Sequence, residues 1–381
     1  MPGTTPMEAI LEIAVDSGFN FAGATNVEPL AVFPHYEEWL SAGLHAGMRY
    51  LENPDMLPAR RDPSRFFPEA VSIIFLGIRY PVNRLDPLPS SRHGRVSSYA
   101  WGLDYHAVLP PAIQTMVDRL RSLAGFDLPF KTSVDSAPVL EKPLAARAGL
   151  GWQGRNSCLI HPVFGSIFFL AGLFVPLNIT GQPDPVPDRC GTCRRCVEAC
   201  PTGCIRPDGT IDAGRCLSYL TIENKGAIPR DLRPLMGDWL FGCDVCQSVC
   251  PWNAKLDDSD VHPGFQSPDA QMMFPNLEKI SRLTKEEFKH TYKTSPLLRA
   301  KRKGLLRNAA VVLGNSGDTG ALPVLGHMLR EEVEPLVRSH AAWAVGRLRA
   351  PEGRQMLSQS LRREEDPSVL EEIQIALDGA N

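Results

Sequence analysis

The sequence predicts an α+β protein in three parts: a mixed N-terminal domain (residues 1–180), a small cysteine-rich domain (181–260) and a helical C-terminal part (261–381). Three observations lead there. Apolar β-rich runs alternate with amphipathic helical stretches up to about residue 180, and eight of the nine cysteines from Cys190 to Cys250 then fall into two runs. Beyond Arg299 the apolar residues keep helical spacing and repeat every 32 positions. With 381 residues, 43% of them hydrophobic, the chain has material for more than one well-buried core.

In the first part, Thr5, Pro6 and Glu8 have the form of a capping box, and Ile10, Leu11, Ile13 and Ala14 continue it as an amphipathic helix ending near Gly18. Residues 71–80 (VSIIFLGIRY) and 166–175 read as strands. Residues 108–124 read as a helix with Ile113, Met116, Val117 and Leu120 on one face. Residues 134–138 (VDSAP) lead into a short helix through Glu141 and Arg147, and a glycine-rich turn follows at 149–157 (GLGWQGRNS), whose backbone N–H groups suit a phosphate or a cofactor side chain. The polar, proline-rich stretch 178–188 is expected to be a linker. The longest apolar run, 166–177, is far short of the roughly 20 residues that span a bilayer. Residues 1–14 lack the features of an export signal, so a cytoplasmic protein is expected.

The C-terminal repeat is carried by Leu305, Val337 and Val369, by Gly314 and Gly346, and by Leu325 and Leu357. A period of this length in helical sequence implies stacked helix pairs of the HEAT type, the plain alternative being a helical bundle. The formal net charge of −3 gives no general attraction to a polyanion, so nucleic-acid contact requires a local cluster of cations. Arg299, Lys301, Arg302, Lys303 and Arg307 form such a cluster at the entrance to the repeats. A charge run is commonly a solvated face, but ahead of a solenoid it suits phosphate contacts.

The chain has ten cysteines. Cytosolic thiols are kept reduced, so clustered ones point to metal rather than disulfides. Cys190-x2-Cys193-x2-Cys196-x3-Cys200-Pro201 is the bacterial ferredoxin run, and Cys216 followed by Cys243-x2-Cys246-x3-Cys250-Pro251 is a stretched second copy. In the two-cluster arrangement the fourth cysteine of each run serves the other cluster. That pairs Cys190, Cys193, Cys196 and Cys250 on one [4Fe-4S] cluster, and Cys200, Cys216, Cys243 and Cys246 on the second. Structural zinc also accepts four thiolates, but its ligands come as two separated CxxC pairs. Cys158 and Cys204 are left unassigned. Two clusters move single electrons without transforming a substrate, which leaves the reacting centre to the N-terminal domain.

Several segments together resemble the epoxyqueuosine reductase family: VDSAPVLEKPLAARAGLGWQGRNS, CGTCRRCVEACPTG, CLSYLTIE and FGCDVCQSVCPWN, flanked by RRDP, SSYAWGLDYH and RAKRKGLLRNAAVVLGN. The likeness runs from about residue 5 to 350. The resemblance implies a nitroreductase-like domain holding base-off cobalamin, a ferredoxin-like domain with two [4Fe-4S] clusters, and HEAT-like repeats that grip transfer RNA. It also implies the reaction, reduction of epoxyqueuosine to queuosine at the wobble position of the anticodon, and an external low-potential electron donor. On matching segments it assigns Asp135 as proton donor, and Arg60, Asp104, Tyr105, His106, Asn156, Ser157, Ser218 and Asp244 as cobalamin contacts. To donate near neutral pH, Asp135 needs a raised pKa, which burial against a corrin face would supply. Without the resemblance, an aspartate or serine before a proline-containing turn reads as a helix cap. Residues 51–60 are somewhat longer than the family pattern, which bears on Arg60.

Two other readings are compatible with clusters of this kind. A reductive dehalogenase also joins cobalamin to two clusters, but generally carries a twin-arginine export signal and no basic helical tail. A ferredoxin-type electron-transfer protein would leave the 180 residues before the clusters without a purpose. The chain is expected to act as a monomer.

Overall fold

A computed structural model describes residues 4–267 and 269–379. The chain forms two compact units that interleave along the sequence. One takes residues up to Val82, Leu103–Gly214 and Val245–Gln266; the other takes Asn83–Gly102, Arg215–Asp244 and the chain from Ser267 onward.

The first unit is built on a four-stranded antiparallel sheet. Its strands are β2 (Phe21–Asn26), β3 (Ser72–Arg79), β4 (Lys131–Ser133) and β5 (Phe168–Val175), in the spatial order β2-β3-β5-β4. All eight residues of β3 are buried, which is why its sequence is a continuous apolar run rather than an alternating one. Gly77 in β3 allows Phe21 of the facing strand to lie across it, since a Cβ there would stand 2.0 Å from the Phe21 ring. Phe21, Ile73, Phe75 and Phe174 from the sheet enclose a core with Val139 and Leu144. Helix α1 (Met7–Asp16) and the long helix α2 (Tyr105–Ala124) bury Met7, Ile10 and Ala14, and Leu109, Ile113, Met116, Val117 and Leu120.

Two expectations fail at the edges of this unit. Thr5 does not cap α1, because residues Thr4–Pro6 form a short strand, β1, paired in parallel with β6 (Asn178–Thr180). The stretch expected to be a linker from residue 178 therefore starts as a strand. Backbone pairing has taken residues whose side chains signalled a cap and a loop.

The second unit ends in five helices: α4 (Lys301–Asn315), α5 (Leu322–Glu331), α6 (Pro335–Arg347), α7 (Pro351–Leu361) and α8 (Pro367–Asp378). The 32-residue period has a direct physical cause. A Cβ on Gly314 would meet Ala344 at 2.8 Å, and a Cβ on Gly346 would meet Ala376 at 2.6 Å. The same glycine-on-alanine approach thus joins α4 to α6 and α6 to α8, one repeat apart. Leu305, Val337 and Val369 are each fully buried. Among the described residues no helix is long and apolar enough to cross a membrane.

Candidate active site and cluster cavity

The segment from β4 to the short helix α3 (Glu141–Arg147) holds Asp135 in the left-handed region, φ +61°. That conformation costs an L-residue roughly 1–2 kcal/mol, less for aspartate than for most, so the surrounding contacts must hold it. Two do. The Tyr105 hydroxyl donates to Asp135 Oδ2 at 2.5 Å, and the Asp135 backbone N–H donates to Glu141 Oε1 at 3.0 Å. Tyr105 opens α2, whose N-terminus is capped by Asp104 accepting from the His106 N–H at 3.0 Å. Its ring stacks on Phe169 of β5, centroids 4.5 Å apart. Sheet, long helix and loop therefore meet at one carboxylate.

Asp135 does not cap α3, so the capping reading of this residue fails, and its side chain is exposed rather than buried. The carboxyl that is desolvated is Glu141, which burial and the neighbouring Asp135 push up to about 7. Glu141 lies six residues from Asp135 in sequence; only the turn through Pro138 brings them together. No local motif announces that contact.

In the same unit, Cys190, Cys193, Cys196 and Cys250 line one cavity of about 260 Å³, bordered also by Arg155, Asn156, Ile160 and Trp252. Three of these cysteines come from one run and the fourth from the other, more than fifty positions on. Among the described residues no three His, Cys, Asp or Glu side chains form a single-ion site. A [4Fe-4S] cluster takes four thiolate ligands, and these four cysteines share one lining. Trp152, whose place in the glycine-rich turn signals no role by itself, donates its indole N–H to Cys190 Sγ at 3.4 Å and packs edge-on against Trp252, centroids 4.8 Å apart. Asn156 accepts from the Cys158 N–H at 3.2 Å and reaches the Cys246 carbonyl at 3.5 Å. It braces this cavity. Ser157 has φ +57°, and its hydroxyl donates to the Gly209 carbonyl at 3.0 Å.

Of the remaining cysteines, Cys200 and Cys246 belong to this unit and Cys216 and Cys243 to the other. The buried Cys204 packs its sulfur 3.4 Å from that of Cys200.

The expected cofactor contacts divide. Arg60 is buried, its guanidinium 5.8 Å from the Tyr36 ring, and its Nε–H has no protein partner among the described residues. A buried donor left open in this way fits a ligand that brings its own acceptors, as the amide-rimmed cobalamin does. Asp244, in the second unit, does not fit: it is buried, and its two oxygens accept from the Ser97 hydroxyl, the Ser98 N–H at 2.8 Å and the Asn83 amide at 2.9 Å. It organises its own backbone surroundings. Ser218 lies in the first turn of the helix Leu217–Ile222, also in the second unit.

The basic cluster divides as well. Arg307 is fully buried and donates to the carbonyls of Asn224, Gly226 and Leu220 at 2.6–2.7 Å. Arg302 forms a two-pronged pair with Glu332 at 2.9 and 2.6 Å. Both are structural, because their donors are already used within the unit. Lys301 is exposed, and Lys303 and Arg299 are half-buried.

Three family models match successive stretches: epoxyqueuosine reductase QueG over residues 60–136, a 4Fe-4S double cluster binding domain over 189–253, and HEAT repeats over 294–378. The epoxyqueuosine reductase of Pseudomonas aeruginosa is 37% identical over 348 residues, covering 89% of this chain and 94% of that protein. The epoxyqueuosine reductase of Bacillus subtilis is 34% identical over 376 residues, covering 96% and 94%. A solved epoxyqueuosine reductase with a tRNA-Tyr epoxyqueuosine-modified tRNA stem loop matches with a TM-score of 0.90 at 31% identity, 98% of each chain being covered. The Bacillus subtilis structure, with its catalytic aspartate loop swung out of the active site, matches with a TM-score of 0.89 at 30% identity, again over 98% of each chain.

Proposed function

Since the chain belongs to the epoxyqueuosine reductase family, we propose that it reduces epoxyqueuosine to queuosine at the wobble position of a transfer-RNA anticodon, with Asp135 as the proton donor. The observation that carries this reading is the pairing, within one unit, of a four-cysteine cavity with a solvent-facing carboxyl pinned from two sides. The net reaction takes up two electrons and two protons and releases the epoxide oxygen as water. Cobalamin, when bound, supplies a low-valent nucleophilic centre; an external low-potential donor feeds the clusters, a class of centre that can be tuned as low as roughly −700 mV. The open Nε–H of Arg60 is suited to an acceptor on the cofactor rim, and Tyr105 aims the Asp135 carboxyl. Opening the ring leaves an alkoxide, which Asp135 protonates.

The two cluster ligand sets are those of the reciprocal arrangement, and the protein works as a cytoplasmic monomer. A strain lacking its own epoxyqueuosine reductase tests the whole reading. Expression of this chain should convert epoxyqueuosine in its transfer RNA to queuosine. Persistence of the epoxide despite stable, cluster-loaded protein would refute it.

Two smaller effects follow. Neutralising Lys301 and Lys303 to glutamine should weaken transfer-RNA binding and flatten its salt dependence by up to about 0.9 log units per lost contact, the duplex value being the upper guide. Binding isotherms at several salt concentrations check this, and an unchanged slope would return both lysines to an ordinary solvated face. Trp152→Phe removes an N–H···S bond, and hydrogen bonds to cluster sulfurs raise the potential. The midpoint of the cluster at Cys190 should therefore fall, as read by a redox titration followed by electron paramagnetic resonance. An equal or higher midpoint would remove Trp152 from this role.

A further inference from the structure

We infer that Glu141 is a positioning residue, a latch that fixes the Asp135 loop by accepting its backbone N–H and so aims the proton-donating carboxyl. This rests on the assignment of Asp135 as proton donor. The geometry is specific. Asp135 has a backbone conformation that an L-residue rarely adopts, and the Glu141 contact acts on that backbone, not on the reacting side chain. With the Tyr105 hydroxyl on Oδ2, the residue is held once through its main chain and once through its carboxylate. The two anchors come from different elements, α3 and α2, so displacement of either would turn the carboxyl away from a fixed target. A second carboxyl beside a proton donor would ordinarily repel it. Glu141 is desolvated and its pKa stands near neutrality, so it can sit there partly protonated and still accept through one oxygen. Lys142, next in α3, offsets the charge that remains; its ammonium is held by the Ser157 carbonyl at 2.9 Å.

The test compares Glu141→Ala, which loses the acceptor, with Glu141→Gln, whose amide oxygen can still accept from the Asp135 N–H. Misplacement of a catalytic group by about 1 Å can cost on the order of 10²-fold. Glu141→Ala should accordingly lower kcat by about tenfold or more, with KM for the RNA and cluster absorbance unchanged, and Glu141→Gln should recover most of that loss. Hydrogen–deuterium exchange on the full, cluster-loaded protein should show faster exchange of the peptide spanning 134–137 in Glu141→Ala and not in Glu141→Gln. If Glu141→Ala is poorly folded, Glu141→Asp, too short to reach, serves in its place. Wild-type kcat and exchange in the alanine variant would overturn the latch.

A double variant separates the latch from the reading beneath it. Placed on Asp135→Asn, Glu141→Ala should cost no further activity, because there is no acid left to aim. A full additional loss would mean that Glu141 acts independently of Asp135, and the inference falls. Full activity of Asp135→Asn alone would sink the proton-donor assignment instead, and the exchange experiment would still decide whether Glu141 holds the loop.

Discussion

Asp135→Asn should lower turnover of epoxyqueuosine in transfer RNA by at least roughly 10²-fold, the lower end of what a positioned general acid contributes. The substitution is isosteric. An amide can accept the Tyr105 hydroxyl hydrogen bond and tolerates the left-handed backbone, so neither anchor of the loop is lost. What disappears is the proton. Iron content, cofactor binding and RNA affinity should therefore match the wild type while kcat falls. Single-turnover measurement of the modified nucleoside checks this, and a wild-type rate would show that the alkoxide takes its proton elsewhere.

Cys250→Ser should remove one entire cluster, reducing iron from about eight to about four atoms per chain, since each [4Fe-4S] cluster depends on its four thiolates. Cys250 follows Cys243 and Cys246 in sequence, but it lines the cavity of Cys190, Cys193 and Cys196. The cluster lost should be the one on those three cysteines. Iron analysis combined with the Trp152→Phe substitution identifies it: after Cys250→Ser, the remaining cluster should have a potential insensitive to Trp152, because the indole N–H addresses Cys190. A remaining cluster that still responds to Trp152 would reverse the pairing. Activity should be abolished along with the electron path.

How much of this was legible in the sequence depends on whether the evidence is local. The cysteine runs were legible because ligand spacing and the following prolines are properties of a few consecutive residues. The repeat was legible too, since Gly314 and Gly346 are required by close helix approaches that recur with the chain's own period. Arg302 and Arg307 were misleading for the opposite reason. Charge is visible in sequence but burial is not, and Arg307 lies wholly inside, satisfying carbonyls more than eighty residues away. Asp244 failed in the same way: beside a cluster cysteine in sequence, it is consumed by Asn83, Ser97 and Ser98. Glu141 and Trp152 carry no signal of their roles in sequence, because their contacts with Asp135 and Cys190 exist only after the loop has turned and the cavity has closed.

The most direct measurement uses anaerobically purified, cluster-loaded protein with a low-potential reductant and transfer RNA containing epoxyqueuosine, with and without added cobalamin, followed by nucleoside analysis. The expected result is conversion to queuosine, with loss of one oxygen atom, only when cobalamin is present. Equal conversion without the cofactor, or none with it while both clusters are reduced, would contradict the account.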